Sequence, residues 1–281
     1  MRVVSRRSAD RLGEGLYWSK REQAIYWVDI LGCCVNRLSL GGGQVASWLM
    51  PDTIGWLVER EQGGFVAGLG RRIVALTLAP LSIRTIVEPE PDRDGNRMND
   101  ALVTPAGEIF AGTMPIAADR PSGALYRLAV NGVVARVDDG YRIANGPALS
   151  PGGEWLYHTD SGLGLIYRFP VADDGSLGAR EIFVAFEQDW GAPDGMTIDA
   201  EGGLWVACWG AGCVTRFTPD GVRDRSILVP ASQVTNCIFA GDALDRMFIT
   251  SAAEGVDERW GGALFEVDPG CTGTPTARYA G

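Results

Sequence analysis

Histidine is nearly absent: the 281 residues contain one, His158. That excludes a multi-histidine zinc site, and a Ser-His-Asp triad would have to be built around this single imidazole. Chemistry in this chain must rest on carboxylates, amides, arginines or a metal ion held by oxygen. Long apolar runs are missing too, and none approaches the roughly 18 residues a membrane span needs. The opening Met1-Arg2-Val3-Val4-Ser5-Arg6-Arg7-Ser8 has the paired arginines of an export leader. No apolar segment or small-residue cleavage site follows them. The expectation is a cytoplasmic protein that does not engage a membrane. Clustered positive charge is scarce: the net charge is −10, and only Arg6-Arg7 and Arg71-Arg72 stand out. Nucleic acid, whose phosphates need grouped Lys and Arg, is excluded as a partner. The six cysteines (Cys33, Cys34, Cys208, Cys213, Cys237 and Cys271) include no Cys-x-x-Cys pair. They are expected to be small apolar residues rather than a disulfide framework.

What is abundant is glycine, 38 residues, spread evenly between short β-rich runs, the pattern of many short strands. One motif recurs, an aromatic inside an apolar strand that ends in small or acidic residues. Its copies are centred on Tyr26, Phe65, Phe110, Tyr157, Trp205 and Phe248. Their spacing is roughly 39 to 48 residues, the length of a four-stranded propeller blade. A second strand follows each copy. The connection to it is longer in the third and sixth repeats, where Met114–Ser122 and Ala252–Gly261 are inserted. The expected fold is all-β, a six-bladed β-propeller occupying 1–281 as one domain. The segment around Arg2–Arg7 should close the last blade, because a terminal strand there hides an open edge.

A third element precedes each aromatic by about 11 to 12 residues and should line the central channel. Equivalent positions there are Glu14, Ile54, Asn99, Asn145, Asp194 and Asn236. Five of the six carry oxygen. Two carboxylates and three amides at one axis are poor packing elements, since each unpartnered buried polar group costs about 1–3 kcal/mol. A cation would offset that cost. Each motif also has a plainer explanation. Asn145-Gly146 is a favoured hairpin turn, Asp194-Gly195 after Pro193 suits a turn, and Glu14 between Gly13 and Gly15 suits a surface turn. Arg97 is placed to reach a substrate oxygen with its planar fork, or to pair with Asp94 or Asp100. Asp29 and Asp160, equivalent in the first and fourth repeats, suit structural hydrogen bonds. His158 suits a packed core residue. Trp209 and Trp260 are the tryptophans expected near the channel mouth.

Several stretches together carry a resemblance: Leu12-Gly13-Glu14-Gly15, Arg97-Met98-Asn99-Asp100, Phe110-Ala111-Gly112-Thr113-Met114, Asn145-Gly146-Pro147 and Pro193-Asp194-Gly195-Met196. Over nearly its whole length the chain resembles the regucalcin (senescence marker protein)/gluconolactonase family, and Tyr157-His158-Thr159-Asp160 is similar to the bacterial pentonolactonase-like branch. The resemblance implies one divalent metal ion on Glu14, Asn145 and Asp194, with Arg97 and Asn99 contacting substrate. Ca2+, Mg2+ or Mn2+ suits an all-oxygen site, with Zn2+ or Fe2+ admissible. The ion would polarise a lactone carbonyl, and Asp194 would serve as catalytic base. The implied activity is hydrolysis of a small-molecule sugar lactone, such as xylono-, arabino- or gluconolactone, to an aldonic acid by a monomer or weak homo-oligomer. Two departures stand out. Leu16 replaces a common proline, and Met114-Pro115-Ile116-Ala117-Ala118-Asp119 lacks a substrate-contacting glutamate that some members carry nearby. Two other readings stay open: a non-catalytic metal- or protein-binding propeller, and a lactonase or esterase for a non-sugar ester. An apolar channel mouth would favour the latter.

Overall fold

Each repeat folds into one antiparallel sheet of four strands, and the six sheets are the blades of a six-bladed β-propeller in the computed structural model, which describes residues 1–6 and 8–281. The innermost strands are Gly13–Ser19, Ile54–Glu59, Asn96–Val103, Ala144–Leu149, Ala192–Ile198 and Val234–Ala240. The aromatic copies form the second strands, among them Ala24–Asp29 and Leu204–Trp209. Blades pack face to face, so inner strands are covered on both sides and buried along most of their length. Ile54–Glu59 (IGWLVE) is buried at every position. Outer strands lose that cover, and Arg223–Leu228 (RDRSIL) is exposed at five of six positions. The aromatics fill the gaps between blades: Trp205, Phe239 and Phe265 pack in one apolar cluster, and Trp18, Trp27 and Phe248 in another.

The last blade takes its outer strand from the start of the chain. Arg2 and Val3 pair with Glu266 and Phe265, and Val4 N–H donates to Leu264 O at 2.8 Å. The expected closing segment is therefore present at Arg2–Val3; Arg7 lies outside the described residues. The C-terminal segment crosses the opposite face of the ring. Gly273, Tyr279 and Ala280 donate their N–H groups to Leu244, Glu59 and Gly107 carbonyls. No helix among the described residues is long and apolar enough to cross a membrane. All six cysteines are free. His158 is buried edge-on against Tyr141, its ring centroid 4.6 Å away. Neither ring nitrogen has a hydrogen-bond partner, and burial pushes its pKa down to about 3. It is the packed, neutral residue that one of the two sequence readings anticipates.

Every innermost strand is irregular at one place. Glu14 pairs with Val28, but Tyr17 pairs with Tyr26, so the inner strand carries an extra residue. The same shift falls between Asn145 and Ala148, between Pro193 and Met196, and between Met98 and Ala101. Ile54/Trp56 and Val234/Asn236 complete the set. A bulge bends its strand and re-aims one side chain, and here all six bulges sit at or beside the channel positions. Gly15 and Gly146 supply the left-handed turn two of them need, with φ of 55° and 63°.

That geometry makes Gly15 costly to replace. A Cβ there would lie 2.7 Å from Gly55 O, a backbone atom. Gly15→Ala should lower stability in urea denaturation by about 1–3 kcal/mol, the cost of a strained left-handed residue. Gly41 is the control, because a Cβ there meets nothing within 4 Å. Gly41→Ala should stay within about 0.5 kcal/mol of the parent. Equal effects at the two positions would refute the bulge account.

Candidate functional site

At the end of the channel where the innermost strands begin lies a cavity of about 250 Å³. Glu14, Arg97, Asn99, Asn145 and Asp194, scattered over the sequence, all line it. All five are buried. The remaining wall is Ser161 with five apolar side chains, Leu12, Met114, Ile143, Ala192 and Trp209. Of the two tryptophans expected at the channel mouth, Trp209 is there. Trp260 instead packs against the cluster between the fifth and sixth blades, beneath Arg259.

The polar groups form a chain in which donors and acceptors can be assigned. Arg97 Nη1 donates to Asn99 Oδ1 at 2.6 Å and to Met98 O at 3.0 Å. Asn99 Nδ2 donates to Ala144 O at 2.8 Å and to Asn145 Oδ1 at 2.6 Å. Asn145 Nδ2 donates to Ser161 Oγ at 2.9 Å. Arg97 makes no ion pair with Asp94, which pairs with Arg71. On the other side, Glu14 Oε2 accepts from Gly15 N–H and from Asn236 Nδ2, both at 3.1 Å. Asp194 Oδ1 is buried and has no hydrogen-bond partner. An orphaned carboxylate oxygen beside Glu14 and Asn145 is a donor set that fits an oxygen-binding cation. Among the described residues no three His, Cys, Asp or Glu side chains cluster as metal ligands, so an ion here would draw on the Asn145 amide oxygen as well.

Asp29 and Asp160 hold this arrangement from behind. Asp29 accepts from the N–H groups of Arg11, Leu12 and Gly32 at 2.9–3.0 Å. Asp160 accepts from Arg142, Ile143 and Gly162 at 3.0–3.2 Å. Each carboxylate clamps the approach to an innermost strand, two residues before Glu14 or Asn145. The structure gives roles to Asn236, Asp100 and Ser161 that the sequence did not assign. Asn236 does not line the cavity; it bridges Glu14 to Asp100, donating to Asp100 Oδ2 at 3.4 Å. Asp100 is a third buried carboxylate, lining a separate space of about 110 Å³ farther along the channel. A signal for it existed, since the residue after the channel position is glycine in four repeats but Asp100 and Cys237 in the others. Ser161 left no comparable signal.

The chain matches the family model described as SMP-30/Gluconolactonase/LRE-like region over residues 12–253. It is similar to regucalcin of Gallus gallus, 34% identical over 288 residues, with 96% of this chain and 95% of that one covered. It is equally similar to the pentonolactonase XacC of Haloferax volcanii, 34% identical, covering 95% and 94%. The crystal structure of a calcium-binding regucalcin from Agrobacterium tumefaciens superposes with a TM-score of 0.93 at 28% identity, covering 99% of this chain and 96% of that one.

Electrostatics at the site favour proton uptake. Burial raises Glu14 well above the usual carboxylate range, and Asp194 raises it further, against Asn236, Gly15 N–H and Arg97. Asp194 is raised by burial and then by Asp100, against the Gly195 N–H, Glu14 and Arg97. Asp100 is raised by burial and by Glu14. Burial lowers Arg97 to about 10, although Glu14 and Asp194 pull it upward. A carboxyl with a raised folded-state pKa stabilises the fold below its unfolded pKa, and that contribution is lost as pH rises through the folded value. In chelator the melting temperature should therefore fall as pH rises from the ordinary carboxylate range towards neutrality. Saturating Ca2+ or Mn2+ should reduce the fall, because ligands shed protons to bind metal. The melting-temperature gain from the ion should grow with pH. Asp10, raised to about 6 by burial despite Arg6, contributes the same slope with or without ion. Parallel profiles with and without ion would contradict this charge balance.

Proposed function

The chain belongs to the SMP-30/gluconolactonase/LRE-like family, and on that premise we propose that it is a divalent-metal-dependent hydrolase that opens sugar lactones to aldonic acids. The observation that carries the reading is the convergence of Glu14, Asn145 and Asp194 on one buried cavity, with Asp194 Oδ1 left unpartnered. Lactone hydrolysis is supported by a relative, the pentonolactonase XacC of Haloferax volcanii. Calcium is supported by the description of the Agrobacterium regucalcin as calcium-binding.

Glu14, Asn145 and Asp194 would hold the ion through side-chain oxygens; hard donors of this kind suit Ca2+, Mg2+ or Mn2+ and admit Zn2+ or Fe2+. Bound there, a divalent cation supplies Lewis-acid polarisation of the lactone carbonyl and offsets the buried negative charge. Asp194 takes a proton from the attacking water as the new C–O bond forms, and returns it to the ring oxygen as the acyl–oxygen bond breaks. Arg97 keeps N–H groups beyond those bound to Asn99 and Met98, and Asn99 Oδ1 keeps one acceptor site beyond Arg97. These are the groups that would orient sugar hydroxyls. The apolar wall of Leu12, Met114, Ile143, Ala192 and Trp209 favours a second reading, a lactone or ester carrying a hydrocarbon flank in place of a full set of hydroxyls.

Asp194→Asn should keep the fold and lower kcat by about 10²–10⁴-fold, the usual contribution of general base catalysis. Asn99→Ala should mainly raise KM, with a smaller fall in kcat. Rates are read above spontaneous lactone hydrolysis, with ion present, on glucono-, xylono-, arabino- and galactonolactone and on an acyl lactone. Near-normal turnover by folded, ion-loaded Asp194→Asn removes Asp194 as the base. Activity confined to the acyl lactone replaces the sugar reading with the second one.

A further inference from the structure

Asn145 has an ambiguity that the two carboxylates lack. A carboxylate presents oxygen whichever way it turns, but an amide presents oxygen one way and NH2 the other. For Asn145 to serve a cation its Oδ1 must be held facing the cavity and its Nδ2 away from it. Three neighbours decide this. The Arg97 guanidinium is donor-only, so the atom of Asn99 that meets Arg97 Nη1 at 2.6 Å is its oxygen. The Ala144 carbonyl is acceptor-only, so the atom of Asn99 that meets it at 2.8 Å is nitrogen. That nitrogen faces Asn145 at 2.6 Å, which fixes the atom there as Oδ1. The Nδ2 of Asn145 is then directed to Ser161 Oγ at 2.9 Å.

We propose that Arg97, Asn99, Asn145 and Ser161 form a one-directional hydrogen-bond relay in which Asn99 sets the direction of the Asn145 amide, and that Ser161 is the positioning residue that ends it, accepting from Nδ2 and holding that amide in place with its oxygen toward the ion. The proposal rests on the metal reading of the site given above.

Ser161 is well placed for this task. Its N–H donates to Ile143 O at 3.0 Å, and the preceding Asp160 accepts the N–H of Ile143 at 3.2 Å. Ser161 is thus tied to the strand approach two residues ahead of Asn145, and the distance between hydroxyl and amide is set by backbone. The first blade shows that the hydroxyl is not needed for the tie itself. There Asp29 clamps Arg11 and Leu12, and the N–H of the next residue, Ile30, donates to Leu12 O at 2.9 Å. Ile30 fills the same structural place without a polar side chain. The first-blade channel residue is Glu14, whose carboxylate needs no orienting and is held by Gly15 and Asn236. Of these two blades, the one whose channel residue is the amide Asn145 carries the hydroxyl of Ser161, and the one whose channel residue is the carboxylate Glu14 carries Ile30.

The test is isothermal titration of Mn2+ and Ca2+ into purified protein, with apo-protein melting temperature measured in parallel. Ser161→Ala should melt close to the parent and lose about tenfold in ion affinity, the lower end for removing a partner that orients a metal ligand. Ser161→Thr, which keeps the hydroxyl, should stay within about twofold. The orientation claim is tested in the Asn145→Asp background, where either oxygen can face the ion. There Ser161→Ala should cost much less than it does with Asn145, so the two changes are coupled. If the parent binds Mn2+ or Ca2+ and Ser161→Ala binds equally well, the relay is overturned while the metal reading stands. An equal loss with Asn145 and with Asp at that position would also overturn it, making Ser161 a general support. A parent protein that binds no divalent ion would overturn the metal reading and the relay with it.

Discussion

Glu14, Asp100 and Asp194 are buried around the propeller axis with a single guanidinium, Arg97, set against them. Ionised together they would leave two uncompensated negative charges in a low-dielectric channel, which a folded protein does not sustain without a proton or a cation. Much of the inner structure follows from that constraint. Asn236 lies between Glu14 and Asp100 and donates to both. Gly15 N–H caps Glu14, and Gly195 N–H serves Asp194. Arg97 is buried beside them and hydrogen-bonded to an amide rather than ion-paired with a carboxylate. The protein gathers acceptors at this spot and leaves a fully buried one, Asp194 Oδ1, without a donor.

The propeller makes such a concentration possible because its mechanical work is done elsewhere. Stability comes from the aromatic clusters between blades, from the mixed last blade and from the C-terminal segment across the far face. Removing packing residues from the axis therefore leaves the core intact. The six bulges then turn one residue per blade inward, and the identity of that residue is free to vary. Ile54 is simply apolar, Asn236 is a bridge, and Glu14, Asn145 and Asp194 share the cavity. Equivalent scaffolding is reused as well: Asp29 and Asp160 make the same backbone clamp behind two different channel side chains.

Much of this was legible in the amino-acid order alone. The recurrence of Tyr26, Phe65, Phe110, Tyr157, Trp205 and Phe248 determined the number of blades, because a repeat that buries its faces against its neighbours has to be periodic. The same period placed Glu14, Asn99, Asn145 and Asp194 at one axis, since equivalent positions in a closed ring converge whatever their separation along the chain. The single histidine, the net charge and the absence of long apolar runs were likewise settled by composition. Other features belong to the tertiary structure. Asp100 follows Asn99 directly, and only the bulge at Met98–Ala101 sends the two side chains into different spaces of the channel. Ser161 lies 16 residues from Asn145, and its contact depends on the register between two strands and the turn after Asp160. The apolar wall draws its five residues from four blades, two of them from the fifth, and no one segment records it. Periodicity specifies which residues meet; bulges, register and the direction of each hydrogen bond specify which atoms face one another, because those depend on neighbours that are distant in sequence.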